Sequence, residues 1–214
     1  MKYKCILFDC DGVLVATEKV TMQVLIDMAE GVGVMLDMEQ AMALFSGHSL
    51  QYCFDYINES SGGKLPLNKE VELEFRKRTF SAYEANIEAL PNVEQVLQQL
   101  TIPICVASNG PLEKIRLNLK LTGLLDYFDG NLFSAYQIQR WKPKPDLFWY
   151  AAEQMGYAAK ECAVIEDSLA GVTAAVAGGF DVYAIVDDTN KELLQEAGAT
   201  TFADMADLME LLKG

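Results

Sequence analysis

From residue 104 onward the chain repeats one unit: a short apolar run, a few polar residues, then a helical pattern. Ile104–Ala107 leads to Ser108-Asn109-Gly110-Pro111 and a helical stretch to Lys120, and a short strand near Leu132-Phe133 precedes Trp141-Lys142-Pro143-Lys144-Pro145 and a helix to Met155. Ala163–Ile165 runs into Glu166-Asp167-Ser168 and a helix to Ala177, and Val182–Val186 runs into Asp187-Asp188. Strands that alternate with helices pack as a parallel sheet with helices on both faces. The expected fold class is therefore α/β, a doubly wound parallel sheet. That topology gathers the polar residues at successive strand ends along one edge, where such sheets bind ligands.

An earlier run, Cys5-Ile6-Leu7-Phe8, has no polar interruption and fits a strand buried on both faces. It ends in Asp9-Cys10-Asp11-Gly12. Two carboxylates at the mouth of an apolar strand are costly unless a cation or a proton accompanies them, and glycine lets the backbone turn tightly beside a ligand. A capped strand end with one aspartate opening a turn would produce the same letters. From about residue 17 to 88 the strand signal is absent. Val20, Val24, Leu25 and Met28 recur at helical spacing before Gly31 and Gly33, and Met38, Ala41, Met42 and Phe45 mark a second helix. Leu50, Phe54 and Ile57 mark a third, and a long charged helix runs from about Asn68 to Asn86. The organisation expected is a core domain of residues 1–16 and 89–214, with residues 17–88 inserted as an all-helical cap domain. Pro91 is expected to start a helix over Val93, Val96, Leu97 and Leu100.

With 214 residues, half of them hydrophobic, the chain can bury a sizeable core. Its net charge of −14 argues against nucleic acid or an anionic membrane as a partner. An anionic small molecule would need a metal ion or focused basic residues to reverse the local field. The five cysteines are scattered without zinc or redox spacing and are read as reduced thiols. Cys10 has no cation beside it in sequence to activate it, and the single histidine, His48, is distant, so its thiol is read as structural. No signal-like segment precedes the first strand and no apolar run has the length of a membrane span. A soluble, cytoplasmic protein is expected, as a monomer or weak homo-oligomer.

If the sheet is wound this way, Asp9, Asp11, Ser108, Asn109, Lys142, Glu166 and Asp167 meet at one edge. Carboxylates are hard oxygen ligands suited to Mg2+, and one left free could attack phosphorus. Asp9, at the strand tip, is the natural nucleophile, while Asp11 could protonate a leaving oxygen and later accept a proton from water. Ser108, Asn109 and the N–H groups that open the helix after Gly110 would hold phosphate oxygens. Lys142 would add focused positive charge on a loop stiffened by Pro143 and Pro145. Each piece also has a plainer reading: a helix cap for Ser108-Asn109, a solvated charge for Lys142, favourable dipole chemistry for Glu166-Asp167.

Four motifs taken together, Asp9-Cys10-Asp11-Gly12-Val13-Leu14, Ser108-Asn109, Trp141-Lys142-Pro143-Lys144-Pro145-Asp146 and Ile165-Glu166-Asp167-Ser168-Leu169-Ala170-Gly171, resemble the haloacid dehalogenase superfamily in its β-phosphoglucomutase-like branch of phosphatases and mutases. The resemblance implies a Rossmann-like core with a helical cap inserted after the first motif. It implies Asp9 as nucleophile, Asp11 as acid/base and as a magnesium ligand through its backbone carbonyl, Asp167 as a further ligand and Glu166 at or beside the metal. Ser108, Asn109 and Lys142 are the implied phosphate contacts. Aspartate at position 11 separates the chain from true dehalogenases, which lack that second acid and need no magnesium.

The run Phe133-Ser134-Ala135-Tyr136-Gln137-Ile138-Gln139-Arg140-Trp141-Lys142-Pro143, with Ser108-Asn109-Gly110-Pro111, is similar to bacterial phosphatases of 6-phosphogluconate and related sugar phosphates. The implied activity is Mg-dependent hydrolysis of a small phosphate ester through an aspartyl-phosphate. One departure is Ala16-Thr17-Glu18, where the family often carries Asp-Ser-Glu. Gly47-His48-Ser49 falls where the family places a specificity loop, and His48 is read either as a plain loop residue or as a substrate contact. The mutase carries an arginine in that loop where this chain has Leu50, which weakens a phosphohexomutase as the alternative. Arg76, Lys77 and Arg78 on the long cap helix form either a solvated face or a site for a distal phosphate or carboxylate, Arg78 being the candidate retained. A catalytically silent binding protein is the third reading, disfavoured by the complete set Asp9, Asp11, Lys142 and Asp167.

Overall fold

The computed structural model describes residues 2–46, 48–187 and 189–213. Strand β1, Cys5–Phe8, is buried along its whole length. The loop after it turns at Gly12, whose φ of 78° favours glycine, and the N–H groups of Leu14 and Val15 donate to the Cys10 carbonyl at 2.9 and 3.1 Å. Four helices follow: α1 Thr17–Glu30, α2 Met38–Phe45, α3 Leu50–Ser60 and α4 Lys69–Asn86. Capping chemistry sets their starts. Asp37 and Gln40 exchange hydrogen bonds in a capping box before α2, while Ser49 and Asn68 cap α3 and α4. Ala16 gives α1 no side-chain cap. These helices bury Leu25, Phe45, Phe54, Ile57 and Phe75 in a core of their own, with Phe54 edge-on to Phe75 at 5.7 Å. The hydroxyls of Thr21 and Tyr83 meet at 2.9 Å, and Ser46 donates to Glu18. Residues 16–87 form this unit; residues 1–15 and 88–214 form the other.

The second unit continues with α5 Val93–Gln99, β2 Ile104–Ser108, α6 Leu112–Leu121, β3 Leu132–Ser134, α7 Ala135–Ile138 and α8 Asp146–Met155. It closes with β4 Cys162–Glu166, α9 Leu169–Ala177, β5 Asp181–Ile185, α10 Lys191–Glu196, β6 Thr200–Phe202 and α11 Leu208–Leu211. The six described strands run parallel in the order β3-β2-β1-β4-β5-β6. Cys5, Leu7, Cys105, Ala107, Cys162 and Val164 pack with residues of α8 and α9 in one core layer. Their neighbours Ile6, Phe8, Val106 and Ile165 are equally buried, and alternation along a strand sends them to the opposite face. Phe8 meets Phe128 edge-on there at 6.1 Å. Burial on both faces is why these strands read as unbroken apolar runs.

One sequence expectation changes. Helix α5 starts at Val93 rather than Pro91, because Asn92 takes the N-cap in the left-handed conformation, φ 63°, which asparagine tolerates better than most residues. β6, α7, α10 and α11 went unread: three to six residues are too few to show a period. All five cysteines are free and buried. Among the described residues no helix is long and apolar enough to cross a membrane.

Candidate active site

Register places the first groups. Phe8 pairs with Val106 on one side and Ile165 on the other, and the Asp9 N–H extends the ladder to the Ile165 carbonyl at 2.9 Å. Asp9, Ser108 and Glu166 therefore emerge from neighbouring strands at the carboxyl edge. Lys142 arrives from the loop before α8 and is buried, its Nζ 2.5 Å from both Asp9 Oδ1 and Glu166 Oε1 and 4.7 Å from the centre of the Phe148 ring. Asn109 fastens that loop: its Oδ1 accepts from the Lys142 N–H at 2.9 Å, and its Nδ2 donates to the Lys142 carbonyl at 3.4 Å. The Asn109 side chain is thus a clamp on the lysine, a task the sequence did not show.

Glu166 is fully buried. Its Oε2 accepts from the N–H groups of Asp167 and Ser168 at 3.0 and 3.1 Å and from the Ser168 hydroxyl at 2.9 Å, while Oε1 holds Lys142. Four donors surround this carboxylate, and a Cβ on Gly171 would stand 1.8 Å from Oε1. Glu166, expected at or beside the metal, here anchors Lys142 and the start of α9. Asp167 differs. Its Oδ2 would lie 1.9 Å from a Cβ on Gly12, and among the described residues no group donates to its carboxylate. Burial, then the charges of Glu166 and Asp9, push its carboxyl well above the ordinary range. Burial also pushes Asp9 up to about 7, with Lys142 pulling it down and Glu166 and Asp11 pushing it further up. For Lys142 burial acts downward, but Asp9 and Glu166 outweigh it and hold the ammonium above its ordinary value.

Asp11 turns toward α6. Lys114 Nζ lies 2.6 Å from its Oδ2, and Asn118 Nδ2 lies 3.4 Å from its Oδ1. Sequence reasoning singled out neither partner; the available signal was Asn118 beside the apolar Ile115 and Leu119, one turn after a lysine. Ser108 Oγ accepts from the Gly110 N–H at 3.2 Å, and the Ser134 hydroxyl donates to the Gly110 carbonyl at 2.6 Å, so the turn before α6 is fixed. α6 itself has no side-chain N-cap behind Pro111, which leaves its first N–H groups suited to an anion. Burial, then Asp11 and Asp9, raise the Cys10 thiol well above its ordinary range, in keeping with a structural role.

Of the specificity candidates, Gly47 lies outside the described residues. His48 is exposed and stacks on Tyr52 with ring centres 4.1 Å apart, Ser49 caps α3, and Arg78 pairs with Glu74 at 2.7 Å. Arg78 also lines a groove of about 370 Å³ within the helical unit, with Asp27, Val32, Leu65 and Glu74.

The described residues include no group of three His, Cys, Asp or Glu side chains able to hold a metal alone. Four carboxylates (Asp9, Asp11, Glu166, Asp167) nonetheless face two ammonium groups (Lys114, Lys142), and the Asp167 carboxylate lacks a donor. That donor set fits a hard divalent cation that completes its shell with backbone oxygen, water and a ligand anion.

The pattern of the haloacid dehalogenase-like hydrolases matches residues 3–179. The chain is 32% identical over 212 residues to a 6-phosphogluconate phosphatase of Escherichia coli, covering 99% of this chain and 96% of that protein. A conserved haloacid dehalogenase-like protein from Agrobacterium tumefaciens superposes with a TM-score of 0.85 at 29% identity, covering 99% of this chain and 98% of that one. A HAD family hydrolase from Deinococcus radiodurans, with bound phosphate and sodium, superposes at 0.83 with 26% identity, covering 99% and 95%. With its parallel sheet and its row of acidic residues and lysine at the carboxyl edge, this chain belongs to the haloacid dehalogenase-like hydrolases.

Proposed function

We propose that the chain is a Mg-dependent phosphoric monoester hydrolase acting on a sugar phosphate or sugar-acid phosphate through an aspartyl-phosphate on Asp9. The observation that carries this reading is the imbalance at the strand edge, where four carboxylates meet two ammonium groups and Asp167 has no donor among the described residues. Likeness to the 6-phosphogluconate phosphatase over nearly the whole chain supports the ester class. Asp9, Asp167 and the Asp11 carbonyl would hold Mg2+, which would supply the charge compensation that lets a phosphate approach this acidic edge.

The protein's own groups do the rest. Lys142 favours the ionised form of Asp9 against the effect of burial and offsets charge on the incoming phosphoryl group. Glu166 and Asn109 hold that lysine in place from its ammonium and its backbone. Ser108 and the first N–H groups of α6 take phosphoryl oxygens. Asp9 attacks phosphorus as the ester oxygen leaves with a proton from Asp11; water then attacks the same phosphorus, giving its proton to Asp11 and restoring the Asp9 carboxylate. Choice among esters is assigned to the helical unit, with Gly47, His48, Ser49 and Arg78 as the residues to vary.

The test is phosphate release from phosphorylated sugars, sugar acids and nucleotides with and without Mg2+, including glucose 1-phosphate with catalytic glucose 1,6-bisphosphate. Mg-dependent release selective for 6-phosphogluconate or a related ester is expected. Isomerisation of glucose 1-phosphate without release would make the chain a mutase, and silence across the panel would make it a binding protein.

A further inference from the structure

Asp11 is gripped from α6 by one donor on each oxygen, Lys114 Nζ on Oδ2 at 2.6 Å and Asn118 Nδ2 on Oδ1 at 3.4 Å. The two donors sit one helical turn apart, so they address the carboxylate from a single face. Asn118 is fully buried, and its Oδ1 has no partner among the described residues. An unpartnered buried amide oxygen destabilises a protein, whereas Ile115 and Leu119 beside it show what this helix otherwise buries. Among the described residues the hydrogen bond to Asp11 is what the Asn118 side chain gains in return. Gly110 closes in from a third direction: a Cβ there would stand 4.0 Å from Asp11 Oδ2.

We propose that Lys114 and Asn118 are positioning residues for Asp11, fixing the direction of its carboxylate so that the leaving oxygen and later the attacking water exchange a proton with it along one line. The inference rests on the phosphatase reading and adds to it the two residues that aim the acid/base. Lys114 and Asn118 touch neither substrate nor phosphorus; they act through Asp11.

Leaving-group dependence separates this role from a structural one. p-Nitrophenolate leaves without protonation, while the alkoxide of a sugar-acid phosphate does not, so misdirecting Asp11 slows formation of the aspartyl-phosphate far more for the second, whereas its later hydrolysis is the same for both. Values of kcat/KM, which report the steps through loss of the leaving group and not the hydrolysis that both esters share, are measured on p-nitrophenyl phosphate and 6-phosphogluconate for the wild type, Lys114→Met, Lys114→Arg and Asn118→Leu, with thermal melts of each. Lys114→Met is expected to lose about 100-fold on the alkyl ester and under about fivefold on the aryl ester, with Lys114→Arg recovering most of the loss. Asn118→Leu is expected to show the same preference while melting no lower than the wild type. In an Asp11→Asn background, Lys114→Met should cost nothing further on p-nitrophenyl phosphate. Equal losses on both esters, losses that track a lowered melting temperature, or a full further loss in the Asp11→Asn background would overturn the proposal. No release from either ester by the wild type would instead overturn the phosphatase reading, and this proposal with it.

Discussion

Gly171→Ala tests whether the arrangement behind Lys142 is as tight as the geometry says. The new Cβ would stand 1.8 Å from Glu166 Oε1, 1.9 Å from Cδ and 2.3 Å from Oε2, overlapping the whole carboxylate. Glu166 is fully buried and surrounded by four donors, so it cannot move without losing at least one of them. Overpacking costs about 1–3 kcal/mol and a hydrogen bond to a charged group about 1.5–3 kcal/mol, while alanine in place of a helical glycine returns about 1 kcal/mol. The net loss is about 2–5 kcal/mol. A displaced Glu166 also releases Lys142 from its position on Asp9, so phosphate release should fall by about 100-fold even in molecules that remain folded. Urea unfolding followed by circular dichroism reads the first quantity, and initial rates at a temperature below the melt read the second. Gly31→Ala is the control, since a Cβ there meets nothing closer than 3.5 Å and the residue is helical in φ and ψ. It should stabilise by about 0.5–1 kcal/mol with unchanged rate. Gly171→Ala matching Gly31→Ala in both respects would refute the packing argument.

Asn109→Ala removes the clamp on the Lys142 backbone; a rate loss of about tenfold or more is expected, with a stability loss near 1 kcal/mol, read by phosphate release and urea midpoint. Asp181 accepts from Lys2 and from the Tyr3 hydroxyl, both at 2.7 Å, and these bonds hold its carboxyl below the usual range. A carboxylate lowered in the folded state stabilises the protein above its unfolded pKa, about 3.9, and that contribution is lost as pH falls through the lower folded value. Asp181→Asn should therefore flatten the acid limb of a plot of unfolding midpoint against pH, and an unchanged slope would show that the pair contributes nothing.

Much of this molecule is written in two periodicities. Strands buried on both faces read as apolar runs because every residue of Cys5–Phe8 and Ile104–Ser108 is buried, and the helical insert reads from the stripe that buries Leu25, Phe45, Phe54 and Ile57. The site's main residues were legible for a related reason: a parallel sheet must deliver Asp9, Ser108 and Glu166 to one edge, whatever else the chain does. Partnership was not legible. That Asn109 grips Lys142, that Glu166 is saturated and Asp167 is not, and that Asp11 leans on Lys114 and Asn118 all depend on contacts between segments distant in sequence. Nor does a window see β6, whose three residues form a strand because β5 is there to pair with them.

In the proposed reaction phosphate passes through Asp9. Enzyme quenched during turnover of 6-phosphogluconate, reduced with borohydride and digested for peptide mass spectrometry tests it most directly, since borohydride converts an acyl phosphate of aspartate to homoserine. Homoserine is expected at position 9, dependent on substrate and Mg2+ and absent in Asp9→Asn. Modification at another carboxylate, or sustained turnover by Asp9→Asn, would contradict it.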